Sequence, residues 1–339
     1  MPAAAWPGAC GLRYTLFLPL PRMLLHLSLF ALGLIILYFG AEWMVGGSSR
    51  LALYFGIKPI VVGLTIVALG TSLPEFLVNL FAVIAREDSI AVGNIIGSNI
   101  ANIALILGMV AVLAPLRISR GTLHREYLIM MGVLLVFAGL ASDGTLQRIE
   151  GALLMGGLVA FLGYLFYTSQ GRPNMIEEEW ADQADHDAIS MPWQSGRIVL
   201  GMAGLGLGAH LMVDHAVAIA KIYEISEVVI GLTIVAIGTS LPELAASVVG
   251  AVKHEDGLSI GNILGSNILN VLFVIGAVSS VQPLSVDAAS VHIHLPFMLG
   301  VSALLYVLAR PSFQLGRAGG AAFLLLFGGY MAYLLLPYV

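Results

Sequence analysis

Charge is scarce in this chain. Asp, Glu, Lys and Arg make up 10% of its 339 residues and apolar side chains 59%, whereas an ordinary soluble domain is roughly one quarter charged. That balance excludes a soluble globular domain and fits an integral membrane protein. Cysteine is nearly missing as well: Cys10 stands alone, so no intrachain disulfide can form. The net charge of −5 has no basic patch behind it, and nothing points to nucleic acid. No H-E-x-x-H and no nucleophile–base pair occurs in the apolar segments, which argues against an enzyme such as an intramembrane hydrolase.

What is present is a series of apolar runs of spanning length. They lie near 25–50, 58–85, 90–114, 127–141, 149–168, 197–220, 228–252, 258–281, 291–309 and 318–336. The expected fold class is therefore an all-α membrane protein of ten transmembrane helices, five per repeat. Four prolines (Pro2, Pro7, Pro19, Pro21) mark residues 1–22 as an N-terminal extension, with Met23 as an alternative first residue or a short leader as the other reading. The first repeat is then 23–168 and the second 197–339. Between them lies a polar linker, 169–196, whose stretch 177–187 holds much of the acidic charge. It reads as a solvated hinge, with a regulatory calcium site as the alternative.

The repeat is visible residue by residue. Gly63-Leu-Thr-Ile-Val-Ala-Leu-Gly-Thr-Ser-Leu-Pro-Glu75 recurs as Gly231-Leu-Thr-Ile-Val-Ala-Ile-Gly-Thr-Ser-Leu-Pro-Glu243, 168 positions later (231 − 63). The same offset aligns Gly93-Asn-Ile-Ile-Gly-Ser-Asn-Ile-Ala-Asn102 with Gly261-Asn-Ile-Leu-Gly-Ser-Asn-Ile-Leu-Asn270. A duplicated, polar, glycine-broken helix pair inside apolar sequence is a transporter signature. Because five helices is an odd number, the second repeat enters the membrane from the opposite face, so the repeats are inverted. Assigning basic residues by alternation puts five on the side of the termini (Arg13, Arg22, Arg86, Arg148, Lys221) and the other ten on the linker side. The positive-inside rule then places both termini outside and the linker in the cytoplasm.

Each copy carries one acid in an apolar helix. An ionised carboxylate at the bilayer centre costs about 2.5–3.5 kcal/mol on insertion scales, and no Lys or Arg falls within 63–75, 90–114, 231–243 or 258–281. Protons or bound cations are the remaining compensators. The neighbours are hard oxygen donors: Thr71, Ser72, Ser98, Thr239, Ser240 and Ser266, with the amides of Asn94, Asn102, Asn262 and Asn270. Such a set suits calcium and sodium and argues against zinc or copper. Thr71 with Glu75, Ser98 with Asn102, Thr239 with Glu243 and Ser266 with Asn270 are all i, i+4 pairs, expected on one helical face. Pro74 and Pro242 free carbonyls four residues earlier as further ligands. Gly93, Gly97 and Ala101 form a small-residue stripe for close packing, echoed by Gly261, Gly265 and Leu269. Outside the motifs, Glu42 corresponds by offset to His210, with Asp214 and His215 nearby. They read as helix-boundary residues or, alternatively, as an ion or proton path.

At the doubled G-T-S-L-P-E and G-S-N-I elements the chain resembles the calcium:cation antiporter superfamily, and within it the bacterial sodium/calcium exchangers, over essentially everything from Met23 onward. The resemblance implies that helices two, three, seven and eight form a diamond of ion sites, with Glu75 and Glu243 bridging calcium and sharing sodium in alternation. It implies calcium-binding carbonyls at Thr71 and Thr239. Ser98 and Ser266, with the carbonyls of Ala68 and Ala236, resemble flanking sodium ligands. Asn102 and Asn270 take the fourth pair of positions. Asn270 departs from several family members, which carry Asp there; this leaves two acids, opens the count of coupled sodium ions, and disfavours potassium coupling. Alternating access follows, with helices one and six, rich in glycine (Gly33, Gly40, Gly46, Gly47; Gly201, Gly204, Gly206, Gly208), resembling the sliding gate. The expected partners are calcium and sodium ions and the lipid bilayer, in a bacterial inner (plasma) membrane, with no resident cofactor. A monomer suffices, since the chain encloses its own two-fold site. Proton-coupled exchange on the same fold is the first alternative, and a passive cation channel a weaker one.

Overall fold

A computed structural model describes residues 20–85, 88–169, 190–223, 225, 234 and 236–336. Cys10, the acidic stretch 177–187 and most of 231–235 in the second motif lie outside the described residues. Helix α1 is Leu20–Phe55. A bent pair follows, α2 spanning Pro59–Thr71 and α3 Leu73–Ile84, with 45° between them. Helix α4 joins Asp88–Ile100, a π-helical turn Ala101–Leu107 and Gly108–Leu113. A short α5, Arg120–His124, leads into α6, Glu126–Leu140, and then α7, Arg148–Ser169. The second half opens with α8, Met191–Ile222. Its broken element is described as α9, Ala236–Thr239, and α10, Leu241–Val252. Helix α11 joins Asp256–Leu269, a π-helical turn Asn270–Ile275 and Gly276–Val281. Helix α12 runs through Ser290–His294 and Leu295–Ala309, and α13 is Arg317–Leu335.

Eight helices are long and apolar enough to cross a bilayer, and the bent α2–α3 pair makes a ninth among the described residues. The tenth expected span, 228–252, is described from Ala236 onward as α9 and α10. The protein is thus an all-α membrane protein built from two inverted repeats.

Two tiny antiparallel ladders stitch the repeats together. Strand β1, Leu116–Arg117, pairs with β4, Gln314–Leu315, and β2, Thr145–Leu146, pairs with β3, Leu284–Ser285. Strands β1 and β3 are 168 apart (284 − 116), and β2 and β4 are 169 apart (314 − 145). Each ladder therefore maps onto the other when the repeats are exchanged, as a pseudo-two-fold axis requires.

Burial separates the helices into two kinds. In the central windows of α4 and α11, 78% and 83% of residues are buried, against 17% for α1 and α13. The two motif helices of the G-S-N-I type are therefore the interior of the molecule, and apolar side chains on the outer helices face outward as they do against lipid. Glycine brings α2 onto α11: a Cβ on Gly261 would come within 2.6 Å of the Ile60 carbonyl oxygen, and one on Gly63 within 2.9 Å of the Gly261 Cα. Backbone contact at that crossing carries Thr71 to the side chains of α11.

Helices α1 and α8 pair through the same device on one side of this core, around their own apolar cluster of Leu37, Ala41, Met44, Leu205 and Ala209. A Cβ on Gly201 would sit 2.6 Å from the Met44 amide nitrogen, and one on Gly208 2.6 Å from that of Leu37. Gly206 has open space around it among the described residues. Adding bulk at a filled contact costs about 1–3 kcal/mol. Gly208→Val is therefore expected to lower the melting temperature of the detergent-purified protein, and Gly206→Val to leave it near wild type. Equal melting of the two variants would contradict this account of the α1–α8 seam.

Candidate functional site

The site grows out of the break in each repeat. Pro74 has no N–H for the Gly70 carbonyl, so helix α2 stops at Thr71, Ser72 occupies the bend, and α3 restarts at Leu73. The second copy does the same at Ser240, between α9 and α10. Each acid then falls in the first turn of the restarted helix, Glu75 in α3 and Glu243 in α10. A helix start carries partial positive charge, which favours a carboxylate there. Both acids are 1% exposed.

The break changes one expectation. Thr71 and Glu75 do not share a helical face, because the 45° bend lies between them. Thr71 instead sends its hydroxyl to the Ala68 carbonyl (3.2 Å) and to Oδ1 of Asn262 (3.1 Å). Asn262 in turn donates from Nδ2 to the Ser247 hydroxyl (2.9 Å) and to the Glu243 carbonyl (3.3 Å). Ser72 crosses the pseudo-two-fold, donating from Oγ to Oε1 of Glu243 at 3.1 Å. The first repeat's bend is thereby fastened to the second repeat's acid.

Asn79, one turn beyond Glu75, donates to the Glu75 carbonyl at 2.7 Å. Asn270, at the opening of the α11 π turn, donates from Nδ2 to Oδ1 of Asn99 at 3.1 Å. Ala68, Thr71, Ser72, Ser98, Asn102, Ser240, Ser266 and Asn270 are buried with the acids. Thr239 is half-buried at the end of α9, which begins at Ala236. The Ala68 carbonyl already accepts from the Ser72 amide (2.9 Å), and the Ser240 amide donates to the Ile237 carbonyl (3.1 Å). Asn79, Ser247, Asn99 and Asn267 extend the site beyond the residues picked out by motif spacing. Asn99 and Asn267 were within reach, as the Asn of each G-S-N. Asn79 and Ser247 were obscured because their types differ at equivalent positions (247 − 79 = 168).

Unsatisfied polar atoms distinguish this region, and most of them are oxygens; Nδ2 of Asn94, Asn99 and Asn102 is also buried without a partner among the described residues. Among the described residues, Oε2 of Glu75, Oε2 of Glu243, the hydroxyls of Ser98, Ser240 and Ser266, and Oδ1 of Asn79, Asn102, Asn267 and Asn270 are buried without a hydrogen-bond partner. Buried polar atoms are paired in nearly all folded proteins, and leaving one unpaired costs about 1–3 kcal/mol. Two acids and a shell of neutral oxygens are a donor set for hard cations. No group of three or more His, Cys, Asp and Glu side chains assembles among the described residues.

The outer candidates lie elsewhere. Glu42 pairs with Lys253 at 3.0 Å, His210 pairs with Asp214 at 3.3 Å, and His215 meets His26 at 3.0 Å across α1 and α8. None of these contacts involves a motif acid.

A protein-family model described as sodium/calcium exchanger protein matches residues 25–167 and 193–336. The chain is 39% identical to the putative antiporter CaxA of Alkalimonas amylolytica over 305 residues, 88% of this chain and 95% of that protein. It is 36% identical to the inner membrane protein YrbG of Escherichia coli, over 93% of this chain and 98% of that one. Among solved structures, the sodium-calcium exchanger NCX_Mj soaked with 2.5 mM Na+ and 0.1 mM Ca2+ superposes with a TM-score of 0.79 at 33% identity, covering 91% of this chain and 98% of that one.

The Asn262 network makes a stability prediction. Asn262→Leu strands the Ser247 hydroxyl and takes one of the two partners of the Thr71 hydroxyl, and is expected to destabilise the protein by about 1–3 kcal/mol. Adding Ser247→Ala should recover part of the loss, because it removes one stranded group. Thermal unfolding in detergent measures both, and a double variant less stable than Asn262→Leu alone would contradict the assignment.

Proposed function

The chain belongs to the sodium/calcium exchanger protein family, and on that premise we propose that it is a secondary antiporter exchanging calcium for sodium by alternating access. The observation that carries the reading is the pair of buried acids, Glu75 and Glu243, each with an unpartnered carboxylate oxygen, on motif helices that hold further buried, unpartnered oxygens and no basic residue. Two carboxylates neutralise one calcium. Sodium ions binding to the same carboxylates would exclude it, so each species leaves before the other enters and the exchange is obligatory.

We assign the calcium-bridging role to Glu75 and Glu243, with Thr71, Thr239, Ser72 and Ser240 around them. Ser98, Ser266, Asn102, Asn270 and the carbonyls of Ala68 and Ala236 complete the flanking ligand shell. The similarity to an exchanger soaked in sodium and calcium and the buried, unpartnered oxygens of Glu75, Glu243, Ser98, Ser240, Ser266, Asn102 and Asn270 among the described residues support that assignment. We propose calcium extrusion as the direction, from a cytoplasm that faces the 169–196 linker, with the protein in an inner membrane. The ten basic residues on the linker side support this orientation. The inverted repeats give alternating access its geometry, because exchanging their roles turns an opening on one side into an opening on the other. If three sodium ions move per calcium, one net charge crosses, contributing about 2.3 kcal/mol per 100 mV. The proton-coupled alternative would rest on His210 and His215, whose partners are Asp214 and His26 rather than the acid pair.

Calcium-45 uptake into proteoliposomes tests the proposal. Uptake is expected with sodium inside and not with potassium inside or with a pH gradient alone. Uptake driven by the pH gradient would overturn sodium coupling, and uptake with no counter-ion gradient would point to a channel. Glu75→Gln and Glu243→Gln keep the side-chain volume and lose the charge; each is expected to abolish uptake in a folded protein. Full activity in either variant would overturn the site assignment.

A further inference from the structure

We infer that Asn99 is a positioning residue of the exchange site: it holds the Asn270 amide so that Oδ1, rather than Nδ2, is presented to the transported cation. The inference rests on the exchanger reading above and gives a role to a residue that reading leaves without one. The geometry is a single buried contact across the pseudo-two-fold axis. Asn270 donates from Nδ2 to Oδ1 of Asn99 at 3.1 Å, joining α11 to α4. Asn99 is 0% exposed and Asn270 1% exposed, so neither amide can turn to water instead. With Nδ2 committed, Asn270 Oδ1 is buried without a partner among the described residues.

An amide has one acceptor oxygen and one donor nitrogen, and only the oxygen can ligate a cation. Reversed, Asn270 would turn two N–H groups toward the ions and repel them. A carboxylate at position 270 would have no such polarity to fix, because both of its oxygens are acceptors. A neutral amide at position 270 therefore creates a need for an orienting acceptor, and Asn99 supplies it. The equivalent pair in the other half is Asn267 with Asn102 (267 − 99 = 168, 270 − 102 = 168), with the same residue types. There Asn267 donates to the Ile263 carbonyl at 3.1 Å, and neither amide atom of Asn102 has a partner among the described residues. One half holds its ligand amide and the other leaves it free to turn, which is why the predicted effect is assigned to Asn99.

The test is a double-mutant cycle on Asn99→Leu and Asn270→Leu. It reads half-saturating sodium and calcium against maximal rate in proteoliposomes, and calcium-45 binding to the detergent-purified protein. Asn99→Leu is expected to raise the half-saturating concentration of at least one ion about five- to tenfold with little change in maximal rate, the scale of one hydrogen bond. Asn270→Leu, which removes the ligand itself, should raise it at least as far, and the double variant should be no worse than Asn270→Leu alone. Asn99→Asp keeps an oxygen acceptor for Nδ2 and should not weaken either ion.

Wild-type values in Asn99→Leu would overturn the inference. So would losses that add in the double variant, or an Asn99→Asp protein as weak as Asn99→Leu. A wild-type protein that shows no sodium-dependent calcium flux would overturn the exchanger reading instead, and the binding arm would still report whether Asn99 and Asn270 act as a unit.

Discussion

Two carboxylates are held inside an apolar helical core with no protein cation to answer them, and the rest of the architecture follows from that constraint. Glu75 and Glu243 are 1% exposed, and the motif segments 63–75, 90–114, 231–243 and 258–281 contain no Lys or Arg. Placing such charges in a bilayer is affordable only when something else supplies the positive charge. Breaking each helix at Ser72 or Ser240 puts the acid at a helix start and frees backbone oxygen beside it. Non-helical backbone is tolerable at this depth because the breaks are packed in protein rather than lipid. On the reading proposed above, transported cations complete such a site, and exchange is what results when two kinds of cation can each do so.

Duplication solves the geometric half of the problem. One motif copy brings one acid and half of an oxygen shell; the inverted copy brings the other half across a pseudo-two-fold axis. The Ser72–Glu243 and Thr71–Asn262 hydrogen bonds cross that axis, so the site is also the seam that joins the repeats. The symmetry is incomplete in the hydrogen bonds. The Thr71–Asn262–Ser247 chain is closed, whereas at the equivalent positions Asn94 Nδ2 and Asn79 Oδ1 have no partner among the described residues. Equivalent positions 79 and 247 carry Asn and Ser, and that difference in reach and donor count is one physical source of the asymmetry.

The repeat, the ten apolar runs and the acid pair were legible in the sequence because each is a pattern of residue type. Some helix limits followed closely, the run at 127–141 becoming Glu126–Leu140 and that at 318–336 Arg317–Leu335, while the runs at 25–50 and 197–220 extend to Leu20–Phe55 and Met191–Ile222. What spacing could not give was direction. An i, i+4 rule presumes a continuous helix, so it paired Thr71 with Glu75 across a bend that points the threonine hydroxyl at Asn262 instead. The π turns at 101–107 and 270–275, which change the register of Asn102 and Asn270, leave no signature in an apolar run. Contacts such as Asn99 with Asn270, 171 residues apart, appear only once the repeats are assembled.

Equilibrium calcium binding to the purified chain, repeated over a series of sodium concentrations, tests the central claim most directly. The account predicts calcium binding that sodium displaces competitively and that is lost when either glutamate is made neutral. Calcium that stays bound at saturating sodium, or that binds undiminished to a protein lacking both carboxylates, would contradict it.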